Sequence, residues 1–396
     1  MIRVWAWLLV CAACSATPIL APGLSVPRVD ARPALIPVGD RGGADAIPLT
    51  ATPINHYQLV REVSATSAAL RAVVWNGDRA FAFGDGGTIL ERTGVGHWAL
   101  AASPTQERLR GVSKGGHVSV VGDHGTWLTQ EGARWVAEVS GTDEDLYAVA
   151  DVGGIYGLRR DERVSFAVGA HGVMIERASD GRFSPIETRT HATLRAILYS
   201  HAGSSANHGE LMDDLYIVGD GGTIVNCSLR MVPPVCIPRP SPTGESLVAI
   251  VDAIPAAATF ASVQGHPLAA FVLGGDGSIL GTTLGRLPPY DFGRLAGRVP
   301  PGMSSAATTR APGGLDGAVM VGGEKVFPPM VLVGAGGRGA FFDGIHVTEF
   351  ALPGVADLHD VAGVGLNVFA VGDGGTIVHG WMPEALQSAP VNAELL

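Results

Sequence analysis

The sequence is short of lysine, of charge in general and of basic clusters. Of its 27 basic residues only Lys114 and Lys325 are lysines, charged residues make up 16% of the chain, and the formal net charge is −10. The one basic run is Arg159-Arg160. Nucleic-acid-binding domains carry a basic patch or stripe, because contacts to the phosphate backbone supply much of their affinity. We therefore expect no nucleic-acid partner.

Motifs for cofactor or metal chemistry are also missing. No P-loop, dinucleotide-binding fingerprint or Ser/His/Asp arrangement has a convincing match. One stretch is rich in metal-binding residue types: it holds His201, His208, Glu210, Asp213 and Asp214. The spacings match no known ligand signature, so we interpret this stretch as a solvated polar loop. We expect no cofactor and assign no metal site.

The apolar run near the N-terminus is too short to cross a bilayer. It follows Arg3 and extends from Val4 to Ala13, about ten residues, which is typical of the apolar core of a signal peptide. We expect residues 1–16 to direct export. The stretch Cys11-Ala12-Ala13-Cys14 resembles a bacterial lipobox, although Cys11 stands where leucine is usual, and it predicts lipidation of Cys14.

Cleavage after Ala16 is the alternative, and it would release a soluble secreted protein. Residues 17–52 are rich in proline, alanine and glycine, so we interpret them as a tether. Membrane association is then expected only through the lipid. The mature protein is expected either in the cell envelope as a lipoprotein or in the secreted fraction.

Glycine is abundant, with 55 residues of 396, and much of it belongs to a repeat. A phrase built on Val-Gly-Asp-Gly-Gly-Thr-Ile occurs seven times, in variable form. Its first glycines are Gly84, Gly122, Gly169, Gly219, Gly274, Gly334 and Gly372. A period of roughly forty to fifty residues is typical of propeller blades.

Each repeat predicts four short antiparallel strands, A to D. A Leu-x-x-Val/Ile stretch comes first, an alternating apolar run leads into the glycine turn, and an aromatic segment follows at Trp98, Trp135 or Phe183. The glycine turn is the predicted B–C hairpin, because primed turns need residues that accept positive φ. Tyr57 has the position of an outer strand without a blade of its own. We expect residues 55–63 to complete the seventh blade and remove its free edge.

The predicted fold is therefore all-β: a seven-bladed β-propeller of four-stranded antiparallel blades, closed by an N-terminal strand. It occupies residues 53–383, and residues 384–396 form a C-terminal tail. Cysteine is scarce, and export leaves Cys227 and Cys236, which flank the predicted C–D turn of blade 4. An oxidising compartment is expected to join them in a disulfide, and no Cys-x-x-Cys or nearby histidine supports a metal or catalytic thiol.

Charged residues covary within the repeats. Four repeats have Asp after the first glycine of the turn, and the same four have a basic residue after the first leucine of strand A. The predicted pairs are Arg71 with Asp85, Arg110 with Asp123, Arg195 with Asp220, and His359 with Asp373. In an antiparallel hairpin the start of strand A lies beside the end of strand B, so the partners can meet. We interpret the pairs as structural, which leaves these arginines neutralised rather than free to bind an anion.

The blades resemble those of photosystem II assembly and stability factor-like propellers, in the broader BNR or Asp-box-like group. The shared motif is Gly-Asp-x-Gly-Thr followed by an aromatic strand, as in residues 122–126 with Trp135, and the likeness covers about residues 55–381. The resemblance implies an exported or lumenal assembly scaffold. Blades 4 to 6 lack the tryptophan, and only residues 179–183 approach an Asp-box, so a photosynthetic role is not implied.

We therefore expect a non-enzymatic scaffold that binds an unknown protein partner or a glycan. The alternative is a carbohydrate-active enzyme, either a glycosidase or a lyase, or a glycan-binding propeller. Sialidases of this shape need a free arginine cluster, a tyrosine nucleophile with a carboxylate partner, and an acid. The sequence shows no Phe-Arg-Ile-Pro-like motif, and its candidate arginines have predicted partners. The two carboxylates of other glycosidases cannot be recognised from sequence.

Loop length indicates where a partner binds. The stretch from the leucine of strand A to the first glycine of the turn runs from Leu70 to Gly84 in blade 1. In blades 3, 4 and 5 the same stretch is longer by about ten residues, and the enlarged A–B loops lie at residues 151–163, 199–213 and 252–267. They carry the candidate contact residues Tyr156, Arg159, Arg160, Tyr199, His201, His208 and His266. Tolerated surface drift is the alternative explanation.

Overall fold

This computed structural model describes residues 47–48, 57–76, 79–114, 118–153, 163–202, 212–229, 231–252, 262–263, 266–267, 270–282, 292–308, 319–321, 324–326, 329–343, 346–364 and 367–382. Strands and short turns account for most of these residues, and 3-10 helices of three residues are the only helical segments that they contain. Within the described ranges, no helix has the length and apolar character needed to cross a membrane.

Seven antiparallel sheets form the blades, and their strands follow the predicted order A, B, C, D. Two strands precede blade 1: β1 (Ile47–Pro48) and β2 (Gln58–Glu62). Blade 1 is β3 (Leu70–Asn76), β4 (Arg79–Gly84), β5 (Ile89–Gly94) and β6 (His97–Leu100). Blade 2 is β7 (Leu109–Val112), β8 (Ser119–Gly122), β9 (Thr126–Glu131) and β10 (Arg134–Val139). Blade 3 is β11 (Leu146–Gly153), β12 (Arg163–Gly169), β13 (Met174–Arg177) and β14 (Phe183–Pro185).

The remaining blades keep the same order, with inserted hairpins in two of them. Blade 4 is β15 (Leu194–Ala202), β16 (Met212–Gly219), β17 (Ile224–Ser228) and β18 (Val235–Arg239). Blade 5 is β19 (Leu247–Asp252), β22 (Ala270–Gly274), β23 (Ser278–Thr282) and β24 (Phe292–Arg298), with β20 (Ser262–Val263) and β21 (His266–Pro267) between A and B. Blade 6 is β25 (Met303–Thr308), β28 (Met330–Gly334), β29 (Arg338–Phe342) and β30 (Val347–Ala351), with β26 (Val319–Val321) and β27 (Glu324–Val326) inserted likewise.

Blade 7 is completed by the N-terminal strand, as predicted. It contains β31 (Leu358–Val364), β32 (Asn367–Gly372) and β33 (Thr376–Trp381), and β2 pairs with β33 as the outermost of its four strands. Tyr57 is fully buried and stacks on Phe341 of blade 6 at 5.1 Å between ring centroids. β1 pairs with β2 as an additional fifth strand, inside the segment interpreted as a tether. The structure thus confirms an all-β, seven-bladed propeller with an N-terminal closing strand.

Six of the seven glycine turns, in blades 1 to 4, 6 and 7, are 3-10 turns whose last glycine has no room for a side chain. In blade 1 the turn is Asp85–Gly87, and Gly87 has φ +67°. A Cβ on Gly87 would lie 2.0 Å from the carbonyl oxygen of Thr105, in the connection to blade 2. The same close approach recurs at Gly125, Gly172, Gly222 and Gly375, each against a threonine carbonyl. A Ser/Thr-x-Thr motif after each of these D strands therefore packs against the turn, a signal that the sequence analysis missed.

Aromatic residues of D strands pack against the preceding blade. Trp135 of blade 2 meets Phe83 of blade 1 edge-on at 5.2 Å, and Phe183 of blade 3 meets Trp127 of blade 2 at 5.1 Å. Trp98 of blade 1 contacts Phe369 of blade 7 at 6.0 Å, which continues the pattern across the closure. Such rings bury large apolar areas, so the core of the protein consists of the layers between blades.

Candidate binding channel

The seven A strands surround a central channel with a volume of about 560 Å³. One end, which we call the turn mouth, is formed by the second residue of each A strand: Arg71, Arg110, Tyr147, Arg195, Val248, Ser304 and His359. The other end, which we call the loop mouth, is formed by Lys114, Asp151, Tyr199, Asp252, Thr308 and Gly363. Because strands A and B are antiparallel, the A–B connections lie at the loop mouth and the glycine turns at the turn mouth.

The structure brings together all four predicted charge pairs at the turn mouth. Arg71 donates from Nε to Asp85 Oδ1 at 3.1 Å and from Nη2 to Oδ2 at 3.0 Å, which is a bidentate pair. The other contacts join Arg110 Nε with Asp123 Oδ1, Arg195 Nη2 with Asp220 Oδ2 at 3.0 Å, and His359 Nε2 with Asp373 Oδ1 at 2.7 Å. In each case strand A starts directly opposite the end of strand B, as in the pairing of Leu70 with Gly84.

Two residues that precede strand A join the pairs into a network. Arg108 Nε lies 2.8 Å from Asp85 Oδ1, so this carboxylate accepts from two arginines of adjacent blades. Asp145 Oδ2 lies 3.4 Å from Arg110 Nη2, and its Oδ1 accepts the backbone N–H of His124 at 3.1 Å. The sequence analysis missed both residues. Their signal is a charged residue immediately before the first leucine of strand A, as in Arg108-Leu109 and Asp145-Leu146.

The network covers only part of the turn mouth. Blades 5 and 6 place Val248 and Ser304 where the other blades have a charged or aromatic residue, and their turns begin with Gly275 and Ala335. Met303 pairs with Gly334 as Leu70 does with Gly84, which identifies Ser304 as the equivalent residue of the sixth repeat. The turn mouth is therefore charged on one side and uncharged on the other.

Two of the arginines lower the pKa of the aspartates that they contact. The hydrogen bond from Arg71 lowers the pKa of Asp85 against the opposing effect of burial, and Arg108 lowers it further. The hydrogen bond from Arg195 lowers the pKa of Asp220 in the same way. These side chains are about one-third exposed, at 31% for Asp85 and 33% for Asp220, so water screens the attraction. Each such pair contributes about 0.2–1 kcal/mol to stability.

Carboxylates deeper in the channel join neighbouring blades. Asp360 of blade 7 accepts the backbone N–H of Val73 in blade 1 at 2.9 Å and the hydroxyl of Ser305 in blade 6 at 2.7 Å. Lys114 of blade 2 donates to the carbonyl of Val361 at 3.0 Å, and its Nζ lies 3.5 Å from Asp360 Oδ1. Asp360 thus connects three consecutive innermost strands and is reached by the lysine of a fourth blade.

Asp151 connects blades 2 and 3 near the loop mouth. It accepts from Ser113 Oγ of blade 2 and from Ser165 Oγ of its own blade, both at 2.7 Å. Sequence reasoning had no signal for the contact between Asp151 and Ser113, because these residues are 38 positions apart and belong to different blades. Among the described residues, no group of three or more His, Cys, Asp or Glu side chains is placed to hold a metal ion.

The candidate contact residues of the enlarged loops fall largely outside the described part of the chain. Tyr156, Arg159, Arg160 and His208 lie outside it. Tyr199 is half-buried and lines the loop mouth, His201 lies in β15, and His266 lies in the inserted hairpin β20–β21. Blade 6 also has an enlarged connection between β25 and β28, so four consecutive blades carry insertions. The sequence analysis missed it because Met303 replaces the leucine that marks strand A.

Cys227 and Cys236 form a disulfide across the C–D hairpin of blade 4. They are direct partners in the β17–β18 pairing and are both buried. Each sulfur lies about 4 Å from Met174 Sδ of blade 3, at 4.0 and 3.9 Å. The disulfide is therefore part of the packed layer between blades 3 and 4. Cys14 lies outside the described residues.

Comparisons with known proteins show similarity of fold. No protein-family model matches the sequence, and no curated protein matches it. Among solved structures, YCF48 bound to a D1 peptide has a TM-score of 0.54 at 12% identity, covering 86% of this chain and 98% of that one. Virginiamycin B lyase from Staphylococcus aureus has a TM-score of 0.61 at 10% identity, covering 82% and 99%. The WD40 propeller domain of Doa1 has a TM-score of 0.55 at 10% identity, covering 82% and 96%. At these identities the chain is similar to them as a propeller, and the neighbours include a lyase as well as a propeller solved with a peptide.

Proposed function

We propose that this protein is an exported, non-enzymatic scaffold that holds an extended segment of a partner protein over the loop mouth. The observation that carries the proposal is that the charged groups described in the channel already make structural contacts. Asp360 and Asp151 join neighbouring blades, and the arginines of the turn mouth are held by aspartates of their own blades. Acid–base catalysis needs a group whose proton is free to move, and these groups already serve as structural partners.

The loop mouth is favoured over the turn mouth because insertions collect there. Blades 3 to 6 each have an enlarged A–B connection, and blades 5 and 6 place an additional two-stranded hairpin within it. Long connections on a rigid scaffold are where binding residues concentrate. Four adjacent insertions border one arc of the loop mouth, which suits an extended ligand that crosses the channel.

A protein ligand and an exported location have separate support. YCF48, a neighbour of the same fold, has been solved with a D1 peptide, so a propeller of this shape is compatible with a peptide ligand. The Cys227–Cys236 disulfide is typical of an oxidising compartment, in agreement with the apolar N-terminal segment. Lipidation at Cys14 is the proposed route by which the exported scaffold is held at the envelope.

Site-specific photocrosslinking tests the location of the partner. The channel offers a matched pair of positions, because Tyr199 lines the loop mouth and Tyr147 lines the turn mouth. We replace each in turn by the photoreactive residue p-benzoylphenylalanine and irradiate the protein in its native envelope fraction. The proposal predicts protein adducts from position 199 and none from position 147.

A variant with shortened loops is the control, and adducts at the same two positions also identify the contradicting result. Shortening the A–B connections of blades 3 to 6 to the length in blade 1, with position 199 kept in β15, should abolish the adduct at position 199 and leave thermal unfolding nearly unchanged. Adducts at position 147 alone would place the partner at the turn mouth. Selective binding on a glycan array, with no protein adduct at either position, would replace the protein partner by a carbohydrate.

A further inference from the structure

His359 of blade 7 contacts two groups of opposite charge through one ring nitrogen. Its Nε2 lies 2.7 Å from Asp373 Oδ1, in the glycine turn of its own blade. The same Nε2 lies 2.9 Å from Arg71 Nη1, at the start of strand A in blade 1. Both distances are those of hydrogen bonds. The side chain lines the turn mouth and is 21% exposed, so water can exchange its proton.

The two contacts require opposite states of this nitrogen. A guanidinium group only donates, so Nε2 can bond to Arg71 only as an unprotonated acceptor. An ionised carboxylate only accepts, so Nε2 can bond to Asp373 only when it carries a proton. A single nitrogen atom meets one of these requirements at a time. One of the two contacts is therefore unfavourable in every state of the ring.

The surroundings favour the bond to Arg71 while the ring is neutral. Nε and Nη2 of Arg71 are held by the carboxylate of Asp85, which Arg108 also contacts, and this arrangement aims Nη1 at His359. The Arg71 side chain is 27% exposed, whereas that of Asp373 is 42% exposed. Water can therefore replace the ring at the carboxylate of Asp373 more readily than at Arg71 Nη1.

The other elements around β31 bring no competing charge to the ring. On the side of blade 6, the equivalent residues of strand A and of the turn are Ser304 and Ala335, which are uncharged. Asp360, the next residue of β31, accepts from neighbouring blades and lies 3.5 Å from Lys114 Nζ. The charges in direct contact with the ring are therefore those of its two Nε2 partners.

Histidine also differs from the basic residue of the other three charge pairs. Those residues are arginines, which stay charged throughout the physiological pH range. An imidazole gains or loses its charge between about pH 5 and 8. Blade 7 is thus the blade whose pair can change its charge state.

We propose that His359 is a pH-sensitive switch at the junction of blades 1 and 7. At about pH 8 the neutral ring carries its proton on Nδ1, and Nε2 accepts from Arg71, which joins the two blades. At about pH 5 both ring nitrogens are protonated, Nε2 donates to Asp373, and the imidazolium repels the guanidinium. Acid therefore exchanges a bond between blades for a bond within blade 7 and releases Arg71 Nη1 to water. The switch is independent of the partner proposed above.

Nitrogen NMR of the full chain, with isotope-labelled histidine, tests the state of the ring, and His359→Gln identifies its signals. At about pH 8 the Nε2 signal should be that of an unprotonated nitrogen, and at about pH 5 both ring nitrogens should carry protons. Protonation of Nε2 throughout this range would overturn the proposal.

Arg195→Gln is the matched control for Arg71→Gln, because Arg195 holds the equivalent position in blade 4 and bonds to Asp220. Loss of the Arg71 donor should shift the neutral ring at about pH 8 to the tautomer with a proton on Nε2, which donates to Asp373. Arg195→Gln should leave Nε2 unprotonated. An unchanged ring in Arg71→Gln, or the same change in both variants, would refute the bond to Arg71.

Double-mutant cycles by urea unfolding measure the same exchange in the unfolding equilibrium constant. The coupling between Arg71→Gln and His359→Gln should show a contact that stabilises the fold about threefold at about pH 8 and destabilises it by a similar factor at about pH 5. The coupling of His359→Gln with Asp373→Asn should show a more stabilising contact in acid. A coupling between Arg71 and His359 that is zero, or that has one sign at both pH values, would overturn the proposal.

Discussion

Glu62→Gln should destabilise the propeller at the junction where the ring closes. Glu62 lies in β2, the closing strand, and its side chain is completely buried. It accepts from Arg92 Nη2 at 2.8 Å and from Trp98 Nε1 at 2.6 Å, both in blade 1, and His379 Nδ1 of blade 7 lies 3.0 Å away. One carboxylate therefore joins the first and last blades through buried polar contacts.

The magnitude follows from the pKa of Glu62. Burial alone would raise this pKa, but the hydrogen bonds and charges of His379 and Arg92 outweigh burial and lower it from 4.5 to about 2. At about 1.4 kcal/mol per pKa unit, the difference corresponds to about 3 kcal/mol in favour of the ionised form in the folded state. Glutamine keeps the shape of Glu62 but removes the negative charge that the buried Arg92 side chain contacts. Removing one partner of a buried ion pair costs about 3–5 kcal/mol.

Urea unfolding at neutral pH measures the loss, and Glu91→Gln is the matched control. Glu91 also pairs with an arginine, at 2.6 Å from Arg79 Nη2, but the two side chains are 31% and 37% exposed. We expect a loss of about 3 kcal/mol for Glu62→Gln and less than about 1 kcal/mol for Glu91→Gln. Similar losses in the two variants would show that burial of the closing cluster does not determine its strength.

The pH dependence of stability tests the same reasoning. The folded-state pKa of Glu62 lies below its unfolded value of 4.5, so its contribution is fully present above that pH. The contribution is lost as the pH falls from about 4.5 through about 2. Glu62→Gln lacks the titrating group, and the difference in unfolding free energy between wild type and variant should therefore shrink over this range. A constant difference would contradict the lowered pKa.

Other parts of the ring give predictions of different size. Gly87→Ala should lower the unfolding free energy far more than Gly86→Ala, because a Cβ at Gly87 meets a carbonyl oxygen at 2.0 Å and one at Gly86 meets nothing within 4 Å. The strain of positive φ, about 1–2 kcal/mol, is common to both variants. Equal shifts of the two variants in thermal unfolding would refute the steric argument. Replacing Cys227 and Cys236 by alanine should cost about 2–4 kcal/mol, and thiol labelling of the unreduced, unfolded wild type should modify neither; labelling of both would refute the disulfide. Asp85→Ala, although it removes the partner of two arginines, should cost only about 1 kcal/mol by urea unfolding, and a loss several times larger would mean that the turn-mouth network acts cooperatively.

Much of the fold was predictable because each blade is specified by local pattern. Alternation with period two and a turn that needs positive φ determine strands A to D without reference to the ring. The pairs at the turn mouth were also accessible, since Arg71 and Asp85 belong to one hairpin and their register follows from the turn between them. The strand at residues 58–62 was identifiable because Tyr57 had the position of a D-strand aromatic with no blade of its own.

The sequence by itself therefore determined the strands and hairpin pairings within each blade, the number of blades and the closing strand. Tertiary structure decided the contacts between blades: Asp360 with Val73 and Ser305, and Glu62 with Arg92 across the closure. These partners are separated by 287, 55 and 30 residues. They meet because the seven sheets curve into a ring that brings their inner strands together. No local periodicity encodes that curvature, since it results from how the aromatic and aliphatic layers pack between neighbouring sheets.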